Sequence, residues 1–170
     1  MEESPTFELK ALSKEGIPAA LDKAVRYRLL NEPGEAESIC RDVLKGEPEN
    51  QQALVVLLLS LTDRFGEGSA PAVSQAQETL SQLHSEYERL YYSGIICERR
   101  AKARLDLGAP GAGHDAYEWL REAMSWYERA EALRPDGNDD ALLRWNTCAR
   151  IVMQKRLSPR SDERVESSLE

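Results

Sequence analysis

The feature that most limits what this chain can become is a pattern that occurs twice. Ala36, Cys40, Val43 and Pro48 follow the spacing A-x3-C-x2-V-x4-P, and Ala123, Tyr127, Ala130 and Pro135 repeat it 87 positions later. Small or apolar residues at three- and four-residue intervals lie on one face of a helix, and a proline just past the last of them ends that helix. The preceding segments repeat as well. Ala20, Ala24 and Tyr27 correspond to Leu54, Leu58 and Leu61, then to Leu90, Gly94 and Cys97, and finally to Ala141, Trp145 and Cys148. A fixed self-similarity of this kind marks a fold built from repeated helix pairs. Gly94 falls where the pattern demands a small residue, so its place inside a helix is read as a close approach between two helices.

Proline and glycine punctuate the chain in the same register. Pro18 and Pro71 fit first helical turns, whereas Pro33, Pro48, Pro110 and Pro135 separate helical patterns. Helices are expected over 17–31, 34–46, 50–64, 71–84, 86–107, 115–133 and 138–156, with no strands. The helix over 50–64 is apolar nearly all round, so it is expected at the centre of the packing. Residues 1–14 read as a polar N-terminal segment, 15–157 as one helical domain, and 158–170 as a disordered tail of Ser, Arg, Glu and Asp. The second helix of the second unit lies over Ala72, Ala76 and Thr79. The insertion that stretches the third unit centres on a glycine-rich connector at Gly108–His114.

The small–aromatic–small–proline spacing in units of about 34 residues resembles the tetratricopeptide repeat. The resemblance spans residues 17–156 as three pairs and a capping helix; it lacks the family's tryptophan near the start of each unit and places Cys40 where an aromatic is usual. It implies an all-α, right-handed superhelix of stacked antiparallel pairs, with a concave groove that holds a peptide or helix of a partner protein. By that analogy Leu21, Val25, Arg28, Asp63, Tyr91, Glu98, Arg99, Leu142, Asn146 and Arg150 face the groove, and the tentative partner-binding set is Arg28, Asp63, Tyr91, Glu98, Arg99, Asn146 and Arg150. The Lys/Asn pairs with which some members clamp a terminal carboxylate are replaced by Leu21/Val25, Val55/Leu59, Tyr91/Ile95 and Leu142/Asn146. A hydrophobic or amphipathic guest is therefore expected.

The rest of the sequence narrows the function by exclusion. Thirty acidic against 22 basic residues give a formal charge of −8, the wrong sign for a general nucleic-acid or anionic-membrane binder. The longest apolar run, Ala53–Leu59, is far too short to span a bilayer, and the first residues carry neither a basic nor an apolar stretch of the kind a secretion signal needs. Three widely spaced cysteines point to a reducing, cytoplasmic setting and to buried thiols rather than to disulfides or a metal site. No phosphate loop or nucleophile motif is present, so neither enzyme activity nor a cofactor is expected. His114 beside Asp115 is read as a loop–helix junction, and the basic run Arg99–Arg104 as a solvated helix end. Two alternatives remain: a homo-oligomer whose groove is filled by a second copy, and a small-molecule sensor using His114, Asp115 and the adjoining loop.

Overall fold

A computed structural model describes residues 2–67 and 70–161, and among these every regular element is helical. Seven α-helices follow in order: α1 (Ile17–Leu29), α2 (Pro33–Gly46), α3 (Gln51–Asp63), α4 (Ala70–Ser81), α5 (Glu86–Leu107), α6 (Ala112–Ala132) and α7 (Asp140–Gln154). None of them is long and apolar enough to cross a membrane. The chain falls into two compact units. Residues 1–64 and 71–84 form the first, and residues 65–70 and 85–170 the second.

In the first unit, Ser13 caps a 3-10 turn by accepting the Gly16 N–H at 3.1 Å, and Pro18 occupies the first turn of α1 that follows. Pro33 opens α2, and the Asn50 side chain accepts the Ala53 N–H at 2.9 Å to open α3. Ile17 and Leu21 of α1 pack with Val43 of α2 and Ala53 of α3. All of α3 is buried or half-buried except Gln52, as its apolar circumference requires. Its two buried hydroxyls turn inward: Ser60 donates to the Val56 carbonyl and Thr62 to that of Leu59, both at 2.7 Å. Gln51 accepts the His84 N–H at 2.9 Å, fixing the end of α4 to the start of α3.

In the second unit, α5, α6 and α7 pack as successive neighbours. Ser85 caps α5 by accepting the Glu88 N–H. Gly108, with φ +64°, ends it in the left-handed conformation that glycine adopts without strain. The connector proves shorter than expected. Helix α6 begins at Ala112, three residues early, because Gly111 (φ +79°) turns the chain directly into it. The expected close approach is also present. A Cβ placed on Gly94 would lie 2.6 Å from Cδ1 and 2.8 Å from Cζ of Tyr127, so α5 and α6 meet there with room for hydrogen alone.

Most of the repeated positions are buried, while Ala20, Tyr27 and Trp145 are half-buried and Pro48 and Pro135 exposed. Ala36, Cys40 and Val43 have essentially no exposed area, nor do Ala123, Tyr127 and Ala130; Leu54, Leu58 and Leu61 behave likewise. After α7 the chain folds back on α6. His114 Nδ1 lies 2.9 Å from the Ser158 carbonyl, and Arg160 pairs with Asp115 at 2.8 Å. The rest of the expected tail, residues 162–170, lies outside the described residues.

Candidate functional site

The least expected feature of the second unit is a carboxylate with no exposed area. Glu98 sits mid-way along α5, and leaving a buried carboxylate without partners would cost several kcal/mol. Four donors converge on it. Lys102, one turn on, reaches Oε2 at 2.7 Å, and Arg144 from α7 reaches the same oxygen at 3.3 Å. The Tyr127 hydroxyl from α6 donates to Oε1 at 3.1 Å, and the Cys148 thiol approaches it at 3.6 Å. One side chain thereby ties together all three helices of the unit.

Burial raises the pKa of Tyr127, and the adjacent Glu98 charge raises it further, so the phenol remains a neutral donor. Burial likewise pushes Cys148 up, with Glu98 again adding to the effect. Arg144 feels burial working against its charge, but Glu98 and a hydrogen bond to Tyr91 outweigh it. The guanidinium therefore remains charged where it reaches from Glu98 to the surface.

At that surface lies a cleft of about 250 Å³ lined by Tyr91, Asp140, Leu143, Arg144 and Thr147. Its floor is aromatic. Tyr91 stacks on Tyr87 with centroids 6.0 Å apart, meets Tyr92 edge-on at 5.0 Å and leans against Tyr127 at 5.8 Å. Leu143 is 58% exposed on the rim. The chemistry on offer is recognition: an aromatic and aliphatic surface, one hydroxyl from Thr147, and the Asp140 carboxylate at the start of α7. The cleft holds no activated nucleophile. The three cysteines are buried and unpaired, with Cys40 and Cys97 held by desolvation at about 12. Among the described residues no cluster of His, Cys, Asp or Glu could hold a metal ion.

The seven residues expected to face a partner divide between the units. Arg28 and Asp63 belong to the first, where they pair with each other at 2.6 and 3.1 Å. In the second, Tyr91 lines the cleft, Asn146 and Arg99 are half-buried on α7 and α5, and Arg150 is exposed on α7. Glu98 is sealed inside, so its expected role as a contact is corrected to that of an internal tie. Leu21 and Ile95 also prove to be core, because each lies on the face its helix turns inward. The basic run on α5 is largely engaged: Arg100 lies 3.8 Å over the Trp119 ring, Lys102 holds Glu98, and Arg104 stands 3.8 Å from Asp115. His114 and Asp115 are held separately by the chain that follows α7. Arg144, Leu143 and Thr147 were not expected at the site. The sequence signal for Arg144 is its place one helical turn from each of the buried slots Ala141 and Cys148.

Comparison with family models, curated proteins and solved structures returns no match.

Proposed function

We propose that this is a non-catalytic, cytoplasmic adaptor of tetratricopeptide-like architecture, and that the α5–α7 cleft docks a segment of a partner protein. The coincidence of repeat register with burial supports the superhelical reading of the helix pairs. The docking reading is carried by one observation: among the described residues the one cation lining the cleft, Arg144, already has its charge answered by Glu98 and shares a hydrogen bond with Tyr91. Such a cleft has little to offer a free carboxylate or phosphate. It suits an amphipathic segment that lays an aliphatic or aromatic side chain on Tyr91 and Leu143 and sets a basic residue opposite Asp140.

Affinity capture from native lysate tests this, with the wild-type protein beside Leu143→Glu. Leu143 is exposed, so the substitution places a charge at the cleft without opening the core. The proposal expects a protein bound by the wild type and lost from the variant, with helical content unchanged. Identical capture by both would refute docking at this cleft.

A further inference from the structure

The first unit carries an exposed arm and an uncovered helix stripe, and the two are complementary. Residues 2–13 form no regular element, yet the base of this arm is seated: Lys10, Ala11 and Leu12 line a cleft with Ile17 of α1 and with Asp42, Lys45 and Gly46 of α2. Beyond that base the arm projects. Phe7 is 82% exposed and Leu9 66%, and the residues around them include Glu2, Glu3 and Glu8 with no base before Lys10. Laid out as an extended strand, in which alternate residues turn to one side, the arm would present Glu3, Phe7 and Leu9 together. That is an acidic, apolar peptide with nothing in its own unit covering it.

The stripe runs along α1 to its C-cap, Leu30. Lys23, Arg26, Tyr27 and Leu30 follow one another at helical spacing and line a cleft of about 250 Å³. Leu21 and Ala24 face the core on the other side of the helix, while Leu30 remains 65% exposed. The stripe is basic and apolar, the converse of the arm. Two copies of it cannot pack face to face, because Lys23 and Arg26 would oppose themselves.

We infer that the arm of one copy docks on the α1 stripe of a second copy, with Phe7 and Leu9 against Tyr27 and Leu30 and Glu3 beside Lys23 and Arg26. A two-fold axis makes the exchange mutual and closed. The same contact is not made within one chain, where Phe7 and Leu9 stay 82% and 66% exposed. The inference stands independently of the α5–α7 cleft.

Sedimentation velocity on the full chain, across low to high micromolar concentration, tests it. The wild type should dimerise, more weakly as salt rises from about 0.05 to about 0.5 M. Phe7→Ser/Leu9→Ser and Lys23→Glu/Arg26→Glu alter only exposed side chains, so both should keep their helical content. Each should weaken association by at least about a hundredfold. Mixing the two variants should restore a heterodimer, weaker than the wild-type dimer, because one of its two contacts, the intact arm of one on the intact stripe of the other, is kept. A wild type that stays monomeric throughout would overturn the inference, as would a dimer that survives either double substitution or a mixture that fails to associate.

Discussion

Replacing Gly94 with alanine sets two well-measured effects against each other. In an ordinary helix the change stabilises by about 1 kcal/mol, because glycine loses more backbone entropy on folding. Here the new Cβ would stand 2.6 and 2.8 Å from ring carbons of Tyr127. The ring has no easy retreat. Tyr91 leans against it with ring centroids 5.8 Å apart, and its hydroxyl is tied to Glu98 at 3.1 Å. Overpacking a tight core costs about 1–3 kcal/mol, and if the ring slides, the lost hydrogen bond to a charged group costs about 1.5–3 more. Contacts this short force the ring to shift, so both costs apply, and after the propensity gain is subtracted the net loss is about 1.5–5 kcal/mol. Urea unfolding followed by circular dichroism reads it directly. Gly113→Ala is the control, since its Cβ would find only Leu157 Cδ2 at 3.7 Å and should show no such penalty. Adding Tyr127→Leu should abolish most of the Gly94→Ala penalty, so the two changes should be strongly non-additive. A Gly94→Ala protein as stable as the wild type, or more so, would refute the close approach between α5 and α6.

Other expectations follow from the same unit and from the thiols. Glu98→Ala orphans the buried Tyr127 hydroxyl and leaves two cations unanswered. Because Arg144 and Lys102 are each about one-third exposed, water recovers part of the cost, and a loss of about 2–4 kcal/mol in urea unfolding is expected; no loss would show that the four contacts to Glu98 do not stabilise the unit. Stability should also fall in alkali. Cys40 and Cys97 sit at about 12 in the native protein against 9.0 unfolded, so above pH 9 the unfolded chain sheds protons that the native chain keeps. This stabilisation is complete below pH 9 and is lost towards pH 12, at about 1.4 kcal/mol per pH unit for each thiol. Buried Cys148 and Tyr127 add in the same direction. Urea midpoints measured from about pH 8 to about pH 11 should fall, and Cys40→Ala should flatten the slope; a flat wild-type profile would contradict the burial of these thiols.

The helices were legible because their signals are local. Pro18 acts within one turn, and the repeat register marked positions that prove buried, among them Cys40, Leu54, Leu58, Tyr127 and the close approach at Gly94, although Tyr27 and Trp145 in the same register are only half-buried. The start of α6 was misjudged because Gly111 enters it through a left-handed turn, a conformation that composition alone does not distinguish from a loose connector. The site was less legible for a different reason. A charged residue on a helix reads as exposed unless its partners are known, and those of Glu98 come from positions 29, 46 and 50 residues away. Lys102, at i+4, was the one partner readable from α5 alone. With Glu98 turned inward, the cleft is lined instead by Arg144, Leu143 and Thr147, which analogy with a helical-repeat groove had not selected.

The account's central claim is that the α5–α7 cleft receives a peptide segment. Its most direct test is a displayed peptide library selected on the full chain and counter-selected on Leu143→Glu, with the enriched peptide then mapped by chemical-shift perturbation. The account predicts a peptide with an apolar anchor and a neighbouring basic residue that perturbs Tyr91, Asp140, Leu143, Arg144 and Thr147 and loses its affinity for the variant. Binding that is indifferent to Leu143, or perturbations confined to other helices, would contradict it.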